Sequence, residues 1–297
     1  MKFRSAAASA AGLLAGVMAS AQSAFAQNVG MAREWQLGFQ DAATPVMQDI
    51  TNFHNVLVWL ITAITLFVLV LFLYIMYRFN AKSNPVPSRT THNTLIEVVW
   101  TVVPIIILVT MAIPSFRLLY KEDVVPDVAR VKDLYGITAA GTLNIKATGH
   151  QWNWSYDYPD NGVKFDAYCG VGPAEGGCLE QTATPGHPRL LDTTEHVVVP
   201  VNTIVKVALT STDVIHSWAV PSFGVKTDAV PGRLQQTWFL ATKTGTFYGQ
   251  CSELCGQGHG FMPISVDVVT QAQFNDWVAK KKAALDTPRG PQQFAAN

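Results

Sequence analysis

Two thiols, an imidazole and a thioether fall within one short stretch, Cys251-Ser-Glu-Leu-Cys255-Gly-Gln-Gly-His259-Gly-Phe-Met262. Gly249, Gly256, Gly258 and Gly260 lie among or beside them, and glycine lets a loop fold tightly enough for several side chains to converge. Such soft and borderline donors suit copper better than a hard cation. A mononuclear blue-copper site takes one Cys, two His and a weak axial Met. With two Cys, two thiolates can bridge two copper ions. A further imidazole is then needed, and Thr212-Asp213-Val214-Ile215-His216-Ser217-Trp218 is the best source. Two alternatives stay open on spacing: a Cys251–Cys255 disulfide, or zinc held by Cys251, Cys255, His259 and His216. Met262 favours copper, because zinc does not take a thioether.

These residues need a rigid frame. Leu143–Thr148, His196–Pro200, Thr203–Leu209, Gln236–Ala241 and Ile264–Val269 are short, β-branched and alternating, with Gly and Pro clusters between them. That pattern predicts an antiparallel sandwich or barrel. Residues 271–285 read as a closing amphipathic helix, and the tail after it as loose.

Upstream, Val56–Tyr77 and Val98–Phe116 carry no charge. As helices they cover about 33 and 28 Å, enough to cross a bilayer core. Pro104 and Pro114 sit in the second run, where a membrane tolerates them. The connecting loop carries Arg78, Lys82 and Arg89 and no acid, which predicts a cytoplasmic loop with both chain ends outside. Residues 1–26 read as a secretory signal. Lys2 and Arg4 form a basic start, Ala6–Ala19 is too short to span, and Ala24-Phe25-Ala26 supplies small residues for cleavage before Gln27. The expected order is signal 1–26, periplasmic segment 27–53, membrane helices 54–77 and 96–117 around a cytoplasmic loop 78–95, outer domain 118–270, and C-terminal helix and tail 271–297.

Composition agrees. Only 14% of the 297 residues are charged and 49% are hydrophobic, against about 25% charged in soluble domains. Lys+Arg and Asp+Glu are both 21, and no basic run exceeds Lys280–Lys282, so a nucleic-acid partner is not expected. Removing the signal leaves 19 basic against 21 acidic residues.

The chain closely resembles subunit II of bacterial and mitochondrial cytochrome c oxidase. The likeness rests on Ile96-Glu97-Val98-Val99-Trp100-Thr101, Gly149-His150-Gln151-Trp152, His216-Ser217-Trp218, Lys226-Thr227-Asp228-Ala229-Val230-Pro231-Gly232-Arg233 and Tyr248-Gly249-Gln250-Cys251-Ser252-Glu253-Leu254-Cys255. It implies an α+β membrane protein, a two-helix hairpin followed by a periplasmic cupredoxin-like β-barrel, in a bacterial inner membrane. It further implies a dinuclear CuA centre bridged by Cys251 and Cys255. His216 and His259 would each bind one copper, Met262 one weakly, and the Glu253 carbonyl the other. The Glu253 side chain would face a magnesium or manganese ion shared with subunit I. That division suits a hard carboxylate and soft thiolates.

By the same resemblance Trp152 is where electrons arrive from cytochrome c, with Asn153 standing where the family usually has Tyr. Ordinary barrel packing accounts for most of the neighbouring rings. Residues 150–267 hold eleven acids against six bases. Asp157, Asp160, Asp166 and above all Asp213 are the docking candidates for a basic cytochrome c, and a solvated face is the plainer reading. Glu97 opens the second span. Its residue type suits a helix N-terminus, and the family motif implies proton uptake into subunit I. Asp228 and Arg233 read alone as a turn with an ion pair; by resemblance they reach the subunit I junction near magnesium and the haem propionates. Cys169 and Cys178 lie where the family is usually different, and a loop-closing disulfide is expected in an oxidising compartment.

The function implied is cytochrome-c oxidase activity at the electron-accepting subunit, coupled to proton pumping. Subunits I and III, cytochrome c and membrane lipid are the partners, and oxygen reduction lies on subunit I. A copper-free quinol oxidase subunit conflicts with the intact Cys/His/Met set. A nitrous oxide reductase conflicts with two spans and only 7 His. A tethered copper chaperone would not need Glu97 or Trp152. A fused cytochrome c is excluded, since no Cys-x-x-Cys-His occurs.

Overall fold

The computed structural model describes residues 30–170 and 187–286. The expected signal 1–26, its cleavage point, Cys178 and the tail from 287 lie outside the described residues. Two compact units emerge, Gln48–Val124 and the remainder.

Helix α1 runs Pro45–Arg78 and α2 runs Thr94–Asp123. Both outrun their uncharged cores, because the polar flanks keep helical propensity. Each is long and apolar enough to cross a membrane, and none of its most apolar residues is buried within the chain. That exposure is unlike a core helix of a soluble protein, which is mostly buried. Asn93 caps α2: its side chain accepts from Ile96 N at 3.2 Å, while Glu97 Oε1 accepts from Asn93 N at 3.2 Å. Lys121 pairs with Asp49 at 2.6 Å near the other end.

In the second unit a short helix α3, Val128–Tyr135, precedes ten strands among the described residues. They are β1 Thr142–His150, β2 Asn153–Tyr158, β3 Val163–Ala167, β4 Val197–Pro200, β5 Ile204–Ser211, β6 His216–Val220, β7 Val225–Ala229, β8 Gln235–Leu240, β9 Gly245–Cys251 and β10 Pro263–Val269. Helix α4, Gln271–Asp286, follows. Two five-stranded sheets form, in the orders β3-β2-β1-β5-β8 and β4-β10-β9-β6-β7. The core between them is aromatic: Trp154, Tyr158, Trp218, Phe223, Phe239 and Phe247 are all buried.

The sandwich expectation holds, but the antiparallel one needs correction. β1 pairs parallel with β5, and β10 parallel with β4. Alternation along a strand reports which face is buried and carries no information on neighbour direction. Strands β2, β3, β6, β7 and β9 were outside the expected set. β6 is buried at every position, so it shows no alternation.

The segment before α1 also belongs to this unit. Gly30 O accepts from Tyr248 N at 3.0 Å, and Ala43 N donates to Ser222 O at 2.8 Å. Cys169 is disulfide-bonded, while its expected partner Cys178 lies outside the described residues.

Backbones approach closely where β9 meets β6. A Cβ on Gly249 would stand 2.0 Å from the Ala219 carbonyl oxygen. Gly249→Ala should therefore cost about 1–3 kcal/mol as overpacking, a Tm loss of roughly 3–10 °C. Thermal unfolding of the full chain in detergent checks this; an unchanged Tm would contradict it.

Candidate metal centre

Strand pairing brings the donors together. Trp218 of β6 stands opposite Cys251 of β9, so His216, at the start of β6, lies beside the end of β9. The chain then loops out through Cys255 and returns into β10. Cys251 N donates to Met262 O at 3.3 Å, closing the loop, and Ser252 N donates to Ser217 O at 3.1 Å.

The donor atoms converge. Cys251 Sγ and Cys255 Sγ are 3.9 Å apart. His216 Nδ1 lies 4.0 Å from Cys251 Sγ, and His259 Nδ1 lies 3.5 Å from Cys255 Sγ. Met262 Sδ is 3.5 Å from Cys255 Sγ, and the Glu253 carbonyl oxygen is 3.4 Å from Cys251 Sγ. Cys251, Cys255, Met262 and His216 are buried; His259 is half-buried and Glu253 exposed. Both cysteines are free thiols, so the disulfide alternative is set aside. His216, Cys251 and Cys255 place one donor atom each within 4.8 Å of one another.

The thiols differ in acidity. Burial disfavours both thiolates. At Cys251 the bonds from His216 and from the Ser217 and Glu253 backbone outweigh burial and lower the thiol to about 7. At Cys255 burial and the neighbouring Cys251 charge act together and raise the thiol to about 12. One thiolate forms readily; the second needs a cation beside it.

Asp213 orients His216. Its Oδ1 accepts from His216 Nε2 at 2.8 Å and from Val214 N at 2.6 Å, while Oδ2 accepts from Gln151 N at 2.7 Å. An ionised carboxylate only accepts, so Nε2 carries a hydrogen and Nδ1 is the nitrogen that faces the thiols. Burial raises the Asp213 carboxyl, but the His216 bond and the backbone donors outweigh it and lower it to about 2. Sequence reasoning offered Asp213 for docking and missed this contact; the signal was its i, i+3 spacing from His216.

Trp152 is half-buried and leans on the same loop. Its Nε1 donates to Cys255 O at 3.1 Å, and Gln151 Nε2 donates to the same oxygen at 2.8 Å. A Cβ on Gly258 would come within 2.3 Å of the Trp152 ring, so this glycine makes room for the indole. The other acids are spread out. Asp157 pairs with Lys164 at 2.8 Å, Asp160 accepts from Asn144 at 2.8 Å, and Asp166 accepts from Ser155 at 2.5 Å. Asp228 and Arg233 are both exposed and form no ion pair. The expected turn is there, with Gly232 at φ 74° and Arg233 N donating to Val230 O at 3.1 Å. Exposure explains the missing pair, since water solvates both charges.

A two-sheet domain with a buried Cys/Cys/His group that could hold a metal ion, preceded by two membrane-length helices, is the architecture of a membrane-tethered protein of the cupredoxin-like kind. Residues 143–269 match the family described as "Cytochrome C oxidase subunit II, periplasmic domain", and residues 32–118 match its transmembrane domain. A "Probable cytochrome c oxidase subunit 2" from Rickettsia bellii is 46% identical over 248 residues, covering 83% of this chain and 84% of that protein. "Cytochrome c oxidase subunit 2" of Zea mays is 44% identical over 256 residues, covering 84% and 91%. That of Cereibacter sphaeroides is 42% identical over 283 residues, covering 92% and 89%. The chain belongs to the cytochrome c oxidase subunit II family. It is thus a subunit of a cytochrome c oxidase, with two helices of membrane-spanning length followed by a β-domain whose Cys/Cys/His group could hold a metal ion.

Because metal ligation requires deprotonated thiols, copper loading at pH 7 should release protons, and affinity should rise with pH through neutrality, most steeply below about 7, where both thiols carry protons. Cys255→Ser should weaken binding at least tenfold, about 1.4 kcal/mol. Competition titrations at several pH values check this; pH-independent uptake would contradict it.

Proposed function

We propose that this chain is the electron-accepting subunit of its oxidase, taking electrons from cytochrome c and passing them toward haem in subunit I. The carrying observation is the convergence of Cys251, Cys255, His216, His259 and Met262, with both sulfurs 3.9 Å apart in a buried pocket. The two thiolates would bridge two coppers, His216 and His259 would take one each, and Met262 and the Glu253 carbonyl would complete the set. When bound, this pair supplies one-electron redox chemistry shared across both metals.

The chain's residues do the rest. One sheet holds β6, β9 and β10 side by side, so the donors need little rearrangement. Asp213 fixes the His216 tautomer. Trp152 touches the Cys255 carbonyl, a direct contact between the outer surface and a ligand residue. The Glu253 side chain is exposed and free to reach a hard cation, magnesium or manganese, at the subunit I junction. Asp228 and Arg233 would meet the same junction. Asp157, Asp160 and Asp166 would favour a basic donor protein at long range. The basic inner loop supports an outer, periplasmic position for the copper domain and both termini. Glu97 would collect protons at the inner face, although its bond to Asn93 N also makes it a capping residue.

Three substitutions separate these roles. Trp152→Phe should slow electron arrival from reduced cytochrome c at least tenfold with docking nearly intact. Asp213→Asn should shift the copper spectrum by loosening His216; a change confined to salt-dependent binding would make Asp213 a docking residue only. Glu97→Ala should lower turnover of the assembled oxidase with an unchanged copper spectrum. Normal turnover, with a stability loss of about 0.3–1 kcal/mol, would leave Glu97 as a helix cap. Stopped-flow reduction by cytochrome c is the deciding measurement, and an unreactive copper-loaded complex would overturn the function.

A further inference from the structure

Away from the copper loop, two imidazoles and two carboxylates form a continuous chain. His187 Nδ1 lies 2.5 Å from Asp192 Oδ2, and His196 Nε2 lies 2.8 Å from Asp192 Oδ1. His196 Nδ1 lies 3.0 Å from Asp267 Oδ2. The Asp192 side chain is 1% exposed. Asp267, on β10, also accepts from Thr246 Oγ1 at 2.7 Å. These groups border a cavity of about 300 Å³ with Thr193, Glu195 and Trp277.

The geometry around His196 is restrictive. An ionised carboxylate offers only acceptors, and a neutral imidazole has one N–H. Here both ring nitrogens face carboxylates of different residues, so only the doubly protonated ring satisfies both. The other charges nearby do not supply that hydrogen. Glu195 is matched by Lys281 of α4 at 2.6 Å, His187 pairs with Asp192, and Tyr248 of β9 and Tyr158 of β2 are buried phenols.

The cluster ties separate segments together. Thr193 bridges to Cys169, Gly170 N donates to Asp192 O at 3.1 Å and Thr194 N to Tyr168 O at 2.9 Å. On the other side Leu191 O accepts from Ser265 Oγ of β10 at 3.1 Å. Leu190 O accepts from Gln250 Nε2 at 3.4 Å, and Gln250 directly precedes Cys251.

We propose that His196 is an imidazolium at neutral pH that clasps the disulfide-bearing Cys169 segment onto the sheet that carries the Cys251–Met262 loop. Burial disfavours the charged ring, but the Asp192 and Asp267 bonds outweigh burial and hold it at about 9. Both carboxyls are held below their usual range, burial notwithstanding, by their bonds to histidine. His196 is more basic folded than unfolded. Its contribution is therefore complete below about 6.5 and is lost as pH rises from there through about 9. The carboxylates contribute above their unfolded range, and that part is lost only in acid.

The test uses the full chain in detergent, labelled with ¹⁵N-histidine. At pH 7.5 the His196 ring should show two protonated nitrogens and titrate once, near pH 9. A neutral ring at pH 7.5, or titration near 6.5, would overturn the clasp. Thermal unfolding adds a second reading. His196→Gln should lower Tm at pH 6.5 by roughly 3–8 °C, and the gap to wild type should shrink by more than half at pH 9.5. His196→Lys, charged up to about 10.4, should stay near wild type at pH 6.5 and lose less than wild type at pH 9.5. Parallel profiles for wild type and His196→Gln would overturn it. If His196→Gln does not fold, the wild-type titration decides alone.

Discussion

Two buried thiols 3.9 Å apart impose the constraint on which the candidate metal centre depends. Each sulfur must lose its proton to ligate, yet two thiolates this close repel strongly in a poorly hydrated pocket. His216 and backbone donors lower the first thiol to about 7; the second is pushed up to about 12. A multiply charged soft cation removes that conflict, and the donor set around the sulfurs is soft. The loop brings two free thiols, two imidazoles and a thioether to one place, a geometry that suits a metal ion.

The surrounding fold answers the same constraint. β6 and β9 lie side by side, which places His216 against Cys251, and β10 returns Met262 beneath the loop. Asp213 occupies the far nitrogen of His216, so the near one stays available. Trp152 and Gln151 both bond the Cys255 carbonyl, so the outer surface and a ligand residue share one contact. Glycine at 258 leaves space for that indole. Asp192, His196 and Asp267 brace the opposite side of the same sheet.

Much of this was legible in the amino-acid order. The Cys-x-x-x-Cys-x-x-x-His-x-x-Met spacing marks the ligand loop because soft donors so dense have few other uses. The two uncharged runs mark the hairpin because charge is costly in a bilayer. The parallel pairs β1–β5 and β4–β10 were not legible, since they depend on long-range register. β6, His216–Val220, opens on two polar residues and stood out as a ligand segment, with no alternation to mark it as a strand. Asp213 looked like a surface acid until the strand start turned it onto His216. The Asp228–Arg233 pair was overread: adjacency across a turn does not hold two solvated charges together. The His196 clasp joins residues 71 positions apart, beyond any local pattern.

The most direct test of the central claim is electron paramagnetic resonance on the full chain in detergent after copper loading, with metal content measured on the same sample. Two coppers per chain and a mixed-valence dinuclear signal, lost in Cys251→Ser and in Cys255→Ser, are the predicted result. One copper with a mononuclear signal, or a stable folded chain that takes up a single zinc and no copper, would contradict it.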